Sequence, residues 1–270
     1  MVSVGSTEHE NCVFRRFTRW LSLLHLDIMA IVTQLKNLTA AAIYRIRRKE
    51  LNKSAWDRLQ RNGYHPPTDE IVARIQRDIG VGDSDGFLAL WGSYLDETID
   101  VVDCDVVEIG HGGGWYLAQC IRAGCRHAYG LEVSEFINTK ARTALTQFAY
   151  SNVSLEVVDE HFLSTFKITP DVVYAITVFQ HLPTQVMEEY FLSAAKVMSS
   201  ESRFYFQTLE NDDKTNRRGS LSDVFSMSYH PNEVMNLLTK SGLKIDKRFE
   251  HHFDDPNNYW AIYKCSVQVD

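Results

Sequence analysis

Little in this sequence would staple the chain, span a bilayer or grip a polyanion. Its 270 residues include five cysteines, Cys12, Cys104, Cys120, Cys125 and Cys265. The number is odd and no two stand in CxxC spacing, so neither a disulfide framework nor a zinc site is indicated, and a reducing cytoplasm is the simplest setting. There is no internal repeat and no low-complexity tract, which removes solenoid and array architectures. Positive charge is scarce: the net charge is -7 and the pI about 5.8. A broad electrostatic hold on nucleic acid is therefore not expected. No apolar run is long enough to span a membrane, because FTRWLSLLHLDIMAIVTQLKNLTAAAIYRI is interrupted by His25, Asp27, Gln34 and Lys36. A cleaved signal peptide is not expected either, since Glu8 and Glu10 occupy the region where a basic start belongs.

What is present is an ordinary globular balance, 44% hydrophobic and 23% charged residues, in a length that suits one α/β domain with an extension. Residues 1–53 stand apart. They carry nine Lys/Arg against four Asp/Glu, a balance of about +5, which leaves about -12 for the rest. Phe17, Leu21, Leu24, Ile28, Ile31, Leu35, Leu38 and Ala42 fall at alternating steps of four and three, the spacing of one long amphipathic helix. Such a stripe can pack on its own domain or on a second copy of the chain. The flanking RRFTR and RIRRK clusters leave open a helix lying on an anionic membrane surface. A coiled-coil seam is weakly supported, because paired charges are missing beside the stripe.

Residues 54–102 read as a helical lid or cap. Thr68-Asp69-Glu70 places acids in the first turn of a helix after Pro66-Pro67, and FLALWGSYLDETI supplies another. Trp91 and Tyr94 in that second helix either face substrate or pack into the core. From residue 103 to 270 the pattern becomes strand–helix alternation and ends in two strands joined by DDPNN. This predicts an α/β fold, a doubly wound, seven-stranded, mostly parallel sheet with one antiparallel strand from the C-terminal hairpin, plus the N-terminal helical extension.

The densest signal is VVEIGHGGG, residues 106–114. A β-branched strand running into glycines and then a helix presents bare backbone N–H groups and a helix start to a ligand. The dinucleotide pattern GxGxxG matches at Gly110 and Gly112 but meets Trp115 where close helix–strand packing wants a very small residue. Glu108, two residues before the first glycine, would repel a pyrophosphate and attract a cation.

Glu108-x-Gly110-x-Gly112-x-Gly114 resembles motif I of the class I S-adenosylmethionine-dependent methyltransferases, and the resemblance continues in strand order and spacing to the C-terminus. It implies S-adenosyl-L-methionine as cofactor and S-adenosyl-L-homocysteine as product. Glu108 would then act near the methionine end, with Gly110, His111, Gly112 and Gly114 admitting the amino-acid portion and ribose. The resemblance puts Glu132, ending GLEVS, on the ribose hydroxyls, which suits a carboxylate accepting two hydrogen bonds. It puts Val133 on the adenine face, Asp159 on the adenine amino group, and Glu160 beside the ring. Ala175 and Ile176 would line the cofactor after the fourth strand. The pattern departs from the family at His111 and at SSES (199–202), where a glycine pair is usual.

The implied reaction is methyl transfer to an oxygen or nitrogen nucleophile, with a small-molecule acceptor as the leading expectation and a protein or membrane-associated lipid as the rival. A SAM-binding partner protein without catalysis is the rival of a different kind. His181 is the candidate catalytic residue, as a base or as a packing histidine. Tyr229, His230 and His252 are candidate substrate-facing residues, although His230 before Pro231 also suits a plain helix boundary. No metal site is expected, and the setting is cytoplasmic, with peripheral membrane contact left open by the basic helix.

Overall fold

The computed structural model describes residues 56–59, 66–80, 87–158, 168–213, 227–252 and 258–268. Lys49–Asp270 form one compact unit, distinct from Met1–Arg48. The basic segment 1–53, with its membrane-surface and oligomer readings, lies outside the described residues, as do Asp159 and Glu160.

The elements in chain order are α1 (Thr68–Gly80), α2 (Phe87–Leu95), β1 (Asp105–Ile109), α3 (Trp115–Arg122), β2 (His127–Glu132), α4 (Glu135–Thr146), β3 (Val153–Val157), β4 (Val172–Ala175), α5 (Thr184–Val197), β5 (Arg203–Glu210), α6 (Pro231–Lys240), β6 (Leu243–His252) and β7 (Tyr259–Val267). A short 3-10 turn, Phe179–His181, joins β4 to α5. The strands form one sheet in the order β3-β2-β1-β4-β5-β7-β6. The β1–β2, β1–β4, β2–β3 and β4–β5 pairs are parallel, while β7 runs antiparallel between β5 and β6. The seven-stranded, mostly parallel sheet expected from the sequence is present.

Local chemistry accounts for the elements. Buried β-branched residues fill β1 and β4, with Val106, Val107 and Val173 inaccessible to solvent, as central parallel strands require. Ser134 caps α4 by accepting the Ile137 N–H, and His230 caps α6 by accepting the Asn232 N–H with Pro231 at the first helical position. Gly242, at φ 75°, carries the chain out of α6.

Alternate residues of each strand serve opposite faces. On one face Val106, Ala128, Tyr174, Tyr205 and Ile262 join a core with Ile71, Trp91, Leu117 and Leu145 of α1–α4. On the other, Phe204 and Phe206 of β5 meet Phe179 and Phe191 in mutually tilted or edge-on ring contacts 5.0–6.2 Å between centroids. Both faces are thus covered, and the strand order reverses at β1/β4. The crevice of a doubly wound sheet opens at that switch point, beyond the C-terminal strand ends.

Candidate active site

The cleft at the switch point opens to solvent and encloses about 840 Å³ of non-atom space, counted out to its open mouth. Its floor and one wall are Glu108, Gly110, His111, Gly112, Glu132 and Val133. The other wall comes from Trp56, Ile176, Thr177, Val178, His181, Leu182 and Tyr190.

Glu108 is 1% exposed. It stands across the ladder from Gly130 on one side and Tyr174 on the other, and the Tyr174 hydroxyl donates to its Oε2 at 3.2 Å. Burial holds its carboxyl well above the usual carboxylate range. The Tyr174 hydrogen bond only partly offsets this, and the nearby Glu132 charge adds to it. Glu132, ending β2, is 9% exposed. Its Oε1 accepts the N–H groups of Val133 and Ser134 at 2.9 and 3.1 Å, and its Oε2 accepts Gly112 N–H at 3.2 Å. Burial still raises its pKa in spite of those three donors. No Lys or Arg is among the described residues lining the cleft. Two desolvated carboxylates on one wall without a cation are costly alone and complementary to a cationic ligand.

His111 is buried and neutral. Its Nδ1 lies 3.0 Å from Gly112 O and its Nε2 lies 2.9 Å from Asn138 Oδ1, and burial lowers its pKa to about 4. A neutral imidazole has one N–H, so with Nδ1–H on the carbonyl, Asn138 must turn its amide to donate to Nε2. The ring has room there because Gly130 lacks a side chain: a Cβ would fall 2.7 Å from His111 Cδ2 and 2.6 Å from Leu117 Cδ1. His111 is therefore a packed spacer between the glycine turn and α4.

Gly110 adopts φ 69° beneath Val178, whose Cγ2 would sit 2.6 Å from an added Cβ. The two tips that meet at the switch point touch there. Beyond β4 the chain bends through Thr177 at φ 57°, a conformation that costs a β-branched residue about 1–3 kcal/mol. This bend puts Ile176, Thr177 and Val178 on the cleft wall and leads into the turn carrying His181. The His181 ring stands edge-on to Trp56, with centroids 5.4 Å apart at 83°. Next to Trp56, Asp57 accepts a 2.6 Å hydrogen bond from Ser134 Oγ. Residues 56–59 thereby reach from the β2 tip to the β4 tip across the cleft.

Other sequence-based expectations are corrected. Gly114 does not line the cleft; at φ 79° it starts α3 and packs closely on Leu145. Ala175 is fully buried in the sheet between Ile109 and Phe206, and only its neighbour Ile176 reaches the wall. Trp91 packs in the core against Phe87. Tyr94 stacks on Phe249 of β6 at 4.8 Å. Both belong to a helix laid on β6 and β7, away from the crevice. Tyr229 is buried, and its hydroxyl shares one proton between the carbonyl oxygens of Phe179, at 2.9 Å, and of Leu182, so it holds the His181 turn from beneath. His230 is the α6 cap. His252 is exposed on the edge strand, 3.2 Å from Glu250.

Trp56, Ile109, Trp115, Tyr116, Leu131, Val158, Thr177, Val178, Leu182 and Tyr190 line the cleft without having been named from the sequence. An aromatic in a helix has no sequence signal that separates core from wall, and Trp56 acquires its role only through the Asp57–Ser134 contact. Among the described residues, no group of three or more His, Cys, Asp or Glu is placed to hold a metal, and no helix is long and apolar enough to cross a membrane.

No protein-family model and no curated protein sequence matches the chain. Solved structures do. A protein from Listeria monocytogenes assigned as an S-adenosylmethionine-dependent methyltransferase aligns with 66% of this chain and 98% of its own, at 14% identity and a TM-score of 0.53. A methyltransferase of the same dependence from Clostridium acetobutylicum aligns over 72% and 97%, at 10% identity and 0.51. The [4+2]-cyclase SpnF aligns over 67% and 79%, at 12% identity and 0.55. The chain has the fold of the class I S-adenosylmethionine-dependent methyltransferases.

Proposed function

We propose that the protein is a methyltransferase that binds S-adenosyl-L-methionine in the β1/β4 crevice and passes its methyl group to a small-molecule oxygen or nitrogen nucleophile. The fold alone does not specify this, since a cyclase shares it. The carrying observation is the pair Glu108 and Glu132, both buried on one wall with no lysine or arginine among the described lining residues. A ligand with net positive charge offsets their desolvation, and dinucleotides and free phosphates do not.

When bound, the cofactor supplies a methyl group on a cationic sulfur, an electrophile that needs alignment and dryness more than activation. Glu132 keeps acceptor capacity for sugar hydroxyls, since its two oxygens offer about four lone-pair sites and three backbone N–H groups use only part of them. Glu108 faces the charged end, and Val133 with Val158 offers an apolar surface to the base. Asp159 and Glu160 keep their adenine roles on the family resemblance. Trp56 roofs the cleft, a covering role for residues 56–59 that helix α2 of the expected 54–102 cap does not share. His181, on the opposite wall, is the group positioned to take a proton from a hydroxyl acceptor.

Isothermal titration with S-adenosyl-L-homocysteine tests the binding half, with release of that product on methyl transfer as the second readout. Absence of binding by the full-length protein overturns the proposal. Binding without transfer to any acceptor would favour the non-catalytic partner reading instead.

A further inference from the structure

The two walls of the cleft differ in chemistry. The carboxylates and glycine amides are confined to the β1 and β2 tips. Facing them are Trp56, Val178, Leu182 and Tyr190, with Thr177 and His181 as the polar groups. Tyr190 is wedged edge-on against Phe179, with ring centroids 5.9 Å apart. Trp56 stands edge-on to His181, so the imidazole borders an indole surface. We infer that the acceptor is an uncharged, flat aromatic compound bearing a hydroxyl, held against Trp56 and Tyr190 with its oxygen toward His181. This rests on the methyltransferase reading and names its substrate class.

The exclusions follow from charge. An anionic acceptor would enter a cleft lined by two buried acidic side chains, in a chain of net charge -7, and no Lys or Arg among the described lining residues could pair with it. A cationic acceptor would have to lie beside a sulfonium of like charge. A neutral aromatic hydroxyl meets neither penalty, and its ring buries well on aromatic walls, which contribute about 0.5–1.5 kcal/mol per ring pair beyond area. In the step itself the acceptor oxygen forms the new O–CH3 bond as the S–CH3 bond breaks, the bonding pair stays on sulfur as a neutral thioether, and the hydroxyl proton goes to the His181 imidazole.

Three matched probes test this on full-length protein saturated with sinefungin, a cofactor analogue that cannot transfer a methyl group and carries an amine where the sulfonium stands: 2-naphthol, 2-naphthyl phosphate and 2-(aminomethyl)naphthalene, each titrated by calorimetry. The expected result is that 2-naphthol binds at least about tenfold more tightly than either charged probe. Trp56→Ala is expected to weaken 2-naphthol about tenfold while changing the affinity for sinefungin much less. Equal or tighter binding of a charged probe overturns the inference, as does failure of all three to bind the loaded protein or an unaffected Trp56→Ala. If the protein does not take up sinefungin at all, the underlying function falls first, and that outcome is visible before any probe is added. Trp56 lies half-buried on a short segment, so thermal unfolding of the variant should match the parent and separates lost binding from lost fold.

Discussion

The backbone N–H of Gly112 donates to Glu132 Oε2 at 3.2 Å, fastening the glycine turn after β1 to the acid that ends β2. The same carboxylate receives the N–H groups of Val133 and Ser134, so one side chain organises two loops and also faces the cleft. Glu132→Ala therefore removes a ligand contact and loosens both loops. Loss of a charged hydrogen-bond acceptor is worth about 1.5–3 kcal/mol. S-adenosyl-L-homocysteine affinity should fall about 10- to 100-fold by calorimetry. Equal affinity in the variant would contradict the assignment of Glu132 to the sugar.

Gly110 is constrained twice, by φ 69° and by Val178 Cγ2, which lies 2.6 Å from where a methyl group would stand. Gly110→Ala must strain the backbone or push the β4 tip away. A cost of about 2 kcal/mol corresponds to a melting temperature lower by roughly 4–8 °C. Differential scanning calorimetry checks it, and an unchanged melting temperature would mean that the two tips do not press on each other.

Glu108 has a raised pKa in the folded protein because of burial, and secondarily because of Glu132, against hydrogen bonds from the Tyr174 hydroxyl and the Leu117 backbone. A carboxyl whose folded pKa lies above its unfolded value contributes its full stabilising share below the ordinary 4.5 and loses it as pH rises through the folded pKa. Glu108→Gln should therefore flatten the fall in stability with rising pH above 4.5, seen as a smaller drop in urea midpoint. A cationic ligand pulls the same pKa down, so S-adenosyl-L-methionine should bind with proton release where the neutral thioether product releases less. Calorimetry in two buffers of different ionisation enthalpy reads the difference, and identical proton counts for both ligands would refute it.

Tyr229 supports the His181 turn through the carbonyl groups of Phe179 and Leu182. Tyr229→Phe removes the one hydroxyl proton the two carbonyls share, while Phe179 O keeps the Leu182 N–H, a cost of about 1 kcal/mol. As a positioning residue it should affect kcat and its pH profile more than affinity for S-adenosyl-L-homocysteine. A variant with lower stability but an unmoved pH profile would reduce Tyr229 to a packing role.

Glu210 is fully buried and paired with Arg248 at 2.6 Å, with Tyr263 and Thr208 hydroxyls also donating to it. Arg248→Met alone should cost about 3–5 kcal/mol, by stranding the charge, while adding Glu210→Gln should recover much of it. Urea unfolding of the single and double variants decides this, and equal losses in both would mean that the ion pair is not coupled.

Much of this protein was legible in its residue order because short-range chemistry carries it. β-branched strands alternating with amphipathic helices specify a parallel sheet with both faces covered, and a carboxylate followed by alternating glycines specifies a bare turn with an acid at its edge. Glu108 and the turn Gly110-His111-Gly112 could thus be named from the residues, Glu132, Val133, Ile176 and His181 were implied by the family resemblance, and the fold brings them all to one crevice. Only tertiary structure decided which aromatics face that crevice. Trp91 and Tyr94 sit in a helix whose packing on β6 and β7 depends on strands well over a hundred residues later in the chain, a distance at which periodicity is silent. Tyr229 and Trp56 were sorted the same way. One became a support because its hydroxyl meets two carbonyls from the β4 turn, and the other became a wall because Asp57 finds Ser134. A side chain's type is written locally, but the side of the wall on which it lies is set by what packs behind it.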